Sequence, residues 1–280
     1  MSVPCPPHPP HHSAPQRRSL WLLVVGALAL IIVLVAAVAV IAVRSGSPSA
    51  TASCADVEFI GAAGSGQRDS DPSSGITEIA DSGVGGIVED TYQNLAVDLP
   101  EGTDINLRTV EYPATAVPVK PTVDNWTAFM DSVSTGASEA EQLIRTTTEE
   151  CGDSKIVVAG FSQGAMAVHR ALRAIGPDAR ITAVVLIGDG DKVPYDNVET
   201  IPEYGTDARQ GIAQVALHHG IDSGAVDDVL PMEWKSRIIS PCMSGDVVCA
   251  PNSFELLRLT AHVSYDANDW RRQLLSKVGS

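Results

Sequence analysis

The feature that most constrains this chain is the run Ile156-Val157-Val158-Ala159-Gly160-Phe161-Ser162-Gln163-Gly164, with small residues following at Ala165, Ala167 and Ala171. An apolar segment entering a Gly-x-Ser-x-Gly turn, with a helix-like pattern after it, predicts strand, sharp turn and helix. A reactive serine at such a turn occupies a strained backbone conformation. Glycines on either side keep the strand and the helix from colliding with it. The hydroxyl of Ser162 then projects above the carboxyl ends of the strands, where open α/β sheets bind ligands.

The rest of the chain supplies the sheet that this turn requires. Short apolar runs at Val57 to Ile60, Asn106 to Val110, Ile156 to Val158 and Ala183 to Ile187 alternate with helical patterns around Gly86 to Leu95, around Asn125 to Thr147 and after Ser162. Strands alternating with helices predict a central, mostly parallel sheet covered on both faces, an α/β sandwich of three layers. Two stretches break the rhythm: Gln67 to Gly85, rich in Asp, Ser and Gly, and Asp189 to Asp207 with Pro194 and Pro202. Both read as long loops, the first near the mouth of the site.

An unassisted serine hydroxyl is a poor nucleophile, so Ser162 needs a base and an acid that orients the base, in the order Ser, Asp or Glu, His. Of the histidines after Ser162, His169 falls two turns into the following helix, and His218 and His219 read as surface or capping residues. His262, late in the chain, is the expected general base. Many acids lie between, Asp189 and Asp191 among them. Asp246 is singled out by its frame, Cys242-Met243-Ser244-Gly245-Asp246-Val247-Val248-Cys249, in which a disulfide would hold a small loop and present the carboxylate rigidly.

The N-terminus carries a different message. Leu20 to Val43 contains no charged residue and is long enough to cross a bilayer as a helix. Arg17 and Arg18 precede it and Arg44 follows, which favours a cytoplasmic N-terminus and export of the remainder. The expected organisation is a disordered cytoplasmic tail over 1–19, a transmembrane signal anchor over 20–43, a Ser/Pro/Gly tether over 44–53 and a folded domain over 54–280. The rival is a cleaved signal peptide with Ala50-Thr51-Ala52 as its cleavage site, which would release the domain as a secreted protein. Its apolar region normally runs only about 7–15 residues, so the length favours the anchor.

Five cysteines fit this topology: Cys5 on the reducing side, and Cys54, Cys151, Cys242 and Cys249 in an oxidising compartment with two possible disulfides. Four cysteines permit three pairings, and the short glycine-containing loop favours Cys242 with Cys249. The exported part keeps 16 of the 19 basic residues against all 34 acids, a net charge of −18. Such a surface repels phosphate backbones, which argues against nucleic acid as a partner and against charge-driven attraction to anionic lipid.

Together these residues resemble the cutinase family, small serine esterases with the α/β-hydrolase fold. The resemblance runs from Cys54 to about the C-terminus and rests on the Gly160 to Gly164 elbow, the cysteine loop around Gly245-Asp246 and His262-Val263-Ser264-Tyr265. It implies a triad of Ser162, His262 and Asp246, and a second disulfide between Cys54 and Cys151. The segment Val57 to Gln67 resembles the family's oxyanion loop, which implies Ser65 as one donor and the backbone N–H of Gln163 as the other. Ala63 departs from an arginine common at its place, Gln67 from a frequent acid, and the loop after Gln67 is longer.

The implied fold is a three-layer α/β-hydrolase sandwich preceded by one N-terminal transmembrane helix. The implied activity is hydrolysis of lipid or acyl esters of the cell envelope, by a monomer, with no metal or organic cofactor. Alternatives from the same residues are an acyltransferase with the same triad and a non-catalytic envelope binding protein.

Overall fold

The computed structural model of the protein describes residues 54–68, 82–118, 122–205, 209–218, 220, 222–226, 228–251 and 259–279. The chain divides into two units at Ser53/Cys54, and the elements described below belong to the second, Cys54–Ser280. The tail, the membrane span and the tether expected over 1–53 lie outside the described residues. Among the described residues no helix is long and apolar enough to cross a membrane.

Six strands form one sheet: β1 (Val57–Ala62), β2 (Ile105–Thr109), β3 (Lys155–Phe161), β4 (Ile181–Ile187), β5 (Glu199–Thr200) and β6 (Ile238–Ser240). Their spatial order is β2-β1-β3-β4-β6-β5, and every pair is parallel. The central strands β1, β3 and β4 are near-continuous apolar runs because helices cover them on both faces.

The period-two alternation of side chains assigns each residue to a face. Ile60, Val158 and Val184 point to one side, where they pack with Ala140 and Ile144 of α2 (Val123–Glu150) and with Val168 and Leu172 of α3 (Gln163–Ile175). Phe59, Val157 and Val185 point to the other, against Val88 and Leu95 of α1 (Gly86–Asp98) and Trp270 and Leu274 of α5 (Asn268–Val278). The buried Trp270 indole donates to Thr91 at 3.2 Å, which ties α5 to α1. A short helix α4 (Ile212–His218) lies between β5 and β6 in the chain.

The expected helix near Asn125 to Thr147 runs longer, over Val123–Glu150. Thr122 caps it by accepting from the Asn125 N–H at 3.3 Å. The stretch from Asp189 to Asp207, expected as loop, holds β5 and a short 3-10 turn at Pro202–Tyr204. A two-residue edge strand, like the three-residue β6, is too short to leave a periodic pattern.

The two disulfides close loops of very different length. Cys54, just before β1, is bonded to Cys151 at the C-cap of α2, and Cys242 is bonded to Cys249 in the connection after β6. Beside the first bridge the fully buried Glu58 carboxylate is held by Arg108 Nε at 2.6 Å, the Ala55 N–H at 2.8 Å and Asn106 Nδ2 at 3.2 Å. A buried carboxylate needs this degree of pairing to remain in a sheet.

Candidate active site

Ser162 occupies the turn between β3 and α3 with φ 53° and ψ −115°, a conformation costly for a residue with a side chain. The two flanking glycines make the turn possible by close approach. A Cβ on Gly160 would lie 2.5 Å from the Gly164 carbonyl oxygen, and one on Gly164 would lie 2.3 Å from that of Ala62. The Ser162 N–H donates to the Ile187 carbonyl at 2.8 Å, so β4 also holds the turn.

The structure brings Ser162, His262 and Asp246 together across 100 residues of sequence. Ser162 Oγ and His262 Nε2 are 2.9 Å apart. His262 Nδ1 lies 3.0 Å from Asp246 Oδ1 and 2.9 Å from Oδ2. The network assigns the ring proton to Nδ1, donated to the carboxylate, which leaves Nε2 to accept from the Ser162 hydroxyl.

Asp246 is fully buried, on a loop closed by the Cys242–Cys249 bond, with Gly245 at φ 84° supplying the reversal. Its Oδ1 accepts from the N–H groups of Val248 at 2.7 Å and Cys249 at 3.3 Å. Burial pushes this carboxyl up, but hydrogen bonding and charge from His262, then Tyr265 and the Val248 N–H, hold it below the usual carboxylate range.

His262 sits in a turn whose Val263 N–H donates to the Leu259 carbonyl at 3.1 Å. Phe161, next to Ser162, stacks on its ring at 4.9 Å between centroids. Gly188, at φ 60°, comes so close that a Cβ there would lie 3.0 Å from His262 Cε1. Neither contact is foreseen by the sequence reading: Phe161 stands at a variable position of the Gly-x-Ser-x-Gly turn and Gly188 belongs to no motif. The signal available in the sequence for Gly188 is a glycine directly after the apolar run Ala183 to Ile187.

The turn carrying Ser65 packs against the elbow, because Gly164 abuts the carbonyls of Ala62 and Ala63. Its Oγ is buried and has no hydrogen-bond partner among the described residues. Gln67 shapes this turn: its Oε1 accepts from the Gly64 N–H at 2.7 Å, and the Gln67 N–H donates to the Gly64 carbonyl at 3.1 Å. Gln163 is the first residue of α3, where a backbone N–H has no partner within the helix. Its buried side-chain amide is held by the Thr115 and Phe129 carbonyls at 3.3 and 3.4 Å and by Ser132 Oγ at 3.4 Å.

The other candidates are engaged elsewhere. Asp189 accepts from His169 Nδ1 at 2.5 Å, and Asp191 forms a two-point pair with Arg170 at 2.5 and 3.1 Å. His218 contacts Gln210, and His219 lies outside the described residues. Cys54, Glu58 and Cys151 cluster as metal ligands would, but the two sulfurs are bonded to each other and neither is a thiolate.

The family model for Cutinase matches residues 53–275. The chain belongs to the cutinase family. Relatives include Phospholipase Culp4 of Mycobacterium tuberculosis, 25% identical over 219 residues, 78% of this chain and 76% of that protein. Carboxylesterase Culp1 of the same organism is 26% identical over 186 residues, 66% of this chain and 68% of that protein. A cutinase of Botryotinia fuckeliana is 30% identical over 101 residues, 32% of this chain and 50% of that protein. The chain spans about half the length of the fungal cutinases it matches, at 42% to 50%.

Solved structures share the fold. A cutinase-like protein from Cryptococcus sp. superposes with a TM-score of 0.57 at 17% identity, covering 82% of this chain and 98% of that one. The catalytic core of an acetyl xylan esterase from Trichoderma reesei gives 0.54 at 18%, covering 81% and 98%. The mostly parallel sheet with helices on both faces is thus the α/β-hydrolase fold of cutinases. The two disulfides fit a protein of an oxidising, extracytoplasmic compartment.

Proposed function

We propose that this cutinase-family chain is a serine esterase in which Ser162 is the nucleophile, His262 the general base and Asp246 the residue that orients and charges the base. The observation that carries the reading is the unbroken relay from Ser162 Oγ through both nitrogens of His262 to the buried Asp246 carboxylate. The hydroxyl proton passes to Nε2 as Oγ attacks the ester carbonyl. Asp246 stabilises the resulting imidazolium without taking its proton.

The carbonyl oxygen becomes an oxyanion, for which Ser65 Oγ and the Gln163 N–H are the proposed donors. One such donor is typically worth about 2.7–4 kcal/mol of transition-state stabilisation. Collapse breaks the bond to the alkoxy group, which leaves with the proton from Nε2. The acyl-enzyme then reacts with water by the same route in reverse, releasing the acid and restoring Ser162. All three catalytic groups belong to one chain, so a monomer suffices.

The substrate class is acyl or lipid esters of the cell envelope. The phospholipase and carboxylesterase names of the mycobacterial relatives support it, as does the proposed placement of the domain 54–280 outside the cytoplasm behind an anchor over 20–43. The test is hydrolysis of p-nitrophenyl acyl esters by the purified chain. Turnover should fall by about 10⁴-fold or more in Ser162→Ala. Equal turnover in that variant would remove the assignment.

A further inference from the structure

Asp246 receives more donors than an imidazole partner and its own loop supply. The hydroxyl of Tyr265 donates to Oδ2 at 2.5 Å, on the oxygen that the loop N–H groups of Val248 and Cys249 do not reach. The hydroxyl is itself fixed: it accepts from the Met243 N–H at 3.1 Å and lies 3.5 Å from Cys249 Sγ. The ring packs edge-on against His262, Phe161 and Tyr204, with centroids 6.4, 6.2 and 5.7 Å away. Tyr265 thus touches the acid, the base, the residue beside the nucleophile and the disulfide that frames the acid.

We propose that Tyr265 is a positioning residue, whose hydroxyl orients the Asp246 carboxylate and takes up part of its charge, moderating the pull of Asp246 on the His262 ring. A hydrogen bond to an ionised oxygen stabilises and disperses its charge. With Oδ1 serving the loop amides and Oδ2 serving Tyr265, the carboxylate plane is pinned at both oxygens before His262 binds to it. Burial, then the charge and hydrogen bond of Asp246, push the Tyr265 hydroxyl well above the ordinary phenol range, so it stays a donor wherever the enzyme is folded. The ionisable groups facing it are Asp246 and His262 on the site side and Tyr204 on the other. Beyond Tyr204 lie Asp266 and Asp269, the latter accepting from the Tyr204 hydroxyl at 2.6 Å.

Removing the hydroxyl leaves the ring contacts and concentrates the charge of Asp246 on the oxygens facing His262. That favours the imidazolium, which cannot accept the Ser162 proton, so activity should be lost at higher pH as the solution is acidified. The rate consequence rests on the esterase reading, whereas the electrostatic one does not.

Two measurements on the full chain test this in Tyr265→Phe: the pH profile of kcat/KM for p-nitrophenyl butyrate, and the NMR titration of the His262 ring protons. Both midpoints should move up by about half a pH unit or more, with KM unchanged. Tyr204→Phe, which loses the bond to Asp269 and keeps the ring, should move neither. Biosynthetic replacement of tyrosine by 3-fluorotyrosine, a stronger donor, should move both down, and it needs no side chain to be deleted.

Coincident midpoints in wild type, Tyr265→Phe and the fluorinated chain would overturn the assignment, even where Tyr265→Phe has lower activity through packing. A displaced NMR midpoint in a chain that turns over no ester would uphold Tyr265 and remove the esterase reading. Ordinary turnover with coincident midpoints would do the reverse.

Discussion

Gly188 and His262 are in such close contact that a methyl group on the glycine would stand 3.0 Å from Cε1 of the ring and 3.3 Å from Oδ2 of Asp246. Gly188 also has φ 60°, and its N–H donates to the Pro241 carbonyl at 2.9 Å, so the backbone cannot easily withdraw. Gly188→Ala should displace the imidazole from Ser162 while leaving the core intact. A misplacement near 1 Å costs about 100-fold in rate, and the left-handed backbone costs about 1–2 kcal/mol with a side chain. Steady-state kinetics beside thermal unfolding should show kcat falling far more than stability. A variant with normal kcat would mean that His262 has room to spare.

The two disulfides should separate stability from catalysis. Cys54–Cys151 closes a loop of 97 residues, which by chain entropy stabilises by about 4–5 kcal/mol, and it lies at the end of the sheet away from Ser162. Cys242–Cys249 closes only 7 residues, worth about 2 kcal/mol on the same basis, but it frames Asp246. Replacing the first pair by serines should cause the larger loss in urea unfolding with kcat retained. Replacing the second should cost less stability and more kcat. The opposite ranking in kcat would argue that Asp246 is held by its hydrogen bonds alone.

His169 makes the stability pH-dependent in a definite direction. Burial pushes this imidazole down, but the charge and hydrogen bond of Asp189, aided by Asp191, outweigh it and raise the folded-state value above 6.5. A group with a raised folded value contributes stability that is fully present below its unfolded value and lost as pH rises through the folded one. His169→Gln should therefore be destabilised relative to wild type at pH values below about 6.5, and the gap should shrink as pH is raised past the His169 titration. Thermal unfolding of both proteins across that range measures it. A gap that widened with pH would show that neutral His169 is the stabilising form.

What could be read from the sequence divides along physical lines. The elbow was legible because its chemistry needs a contiguous pattern: an apolar strand, two glycines around Ser162 and small helical residues. Asp246 stood out from the other acids because Cys242 and Cys249 bracket it. The alternation of short apolar runs with longer helical patterns indicated the sheet and the layers, since β3 and β4 are near-continuous apolar runs and α2 keeps a helical period.

By contrast, Gly188, Phe161 and Tyr265 act through contacts with His262 and Asp246 that are set by the packing of separate elements, and no local spacing reports such contacts. The orphaned Oγ of Ser65 is likewise visible only in three dimensions, where none of the described residues pairs with it. The membrane span over 20–43 remains a reading of composition.

The central claim is that Ser162 is activated by His262 and Asp246, and active-site-directed labelling tests it most directly. The full chain would be treated with a fluorophosphonate and digested, and the modified residue located by mass spectrometry. The account predicts one phosphonyl group per chain on Ser162, none in Ser162→Ala, and labelling slowed by orders of magnitude in His262→Ala and Asp246→Asn. Labelling that maps elsewhere, or that proceeds unchanged without His262, would contradict it.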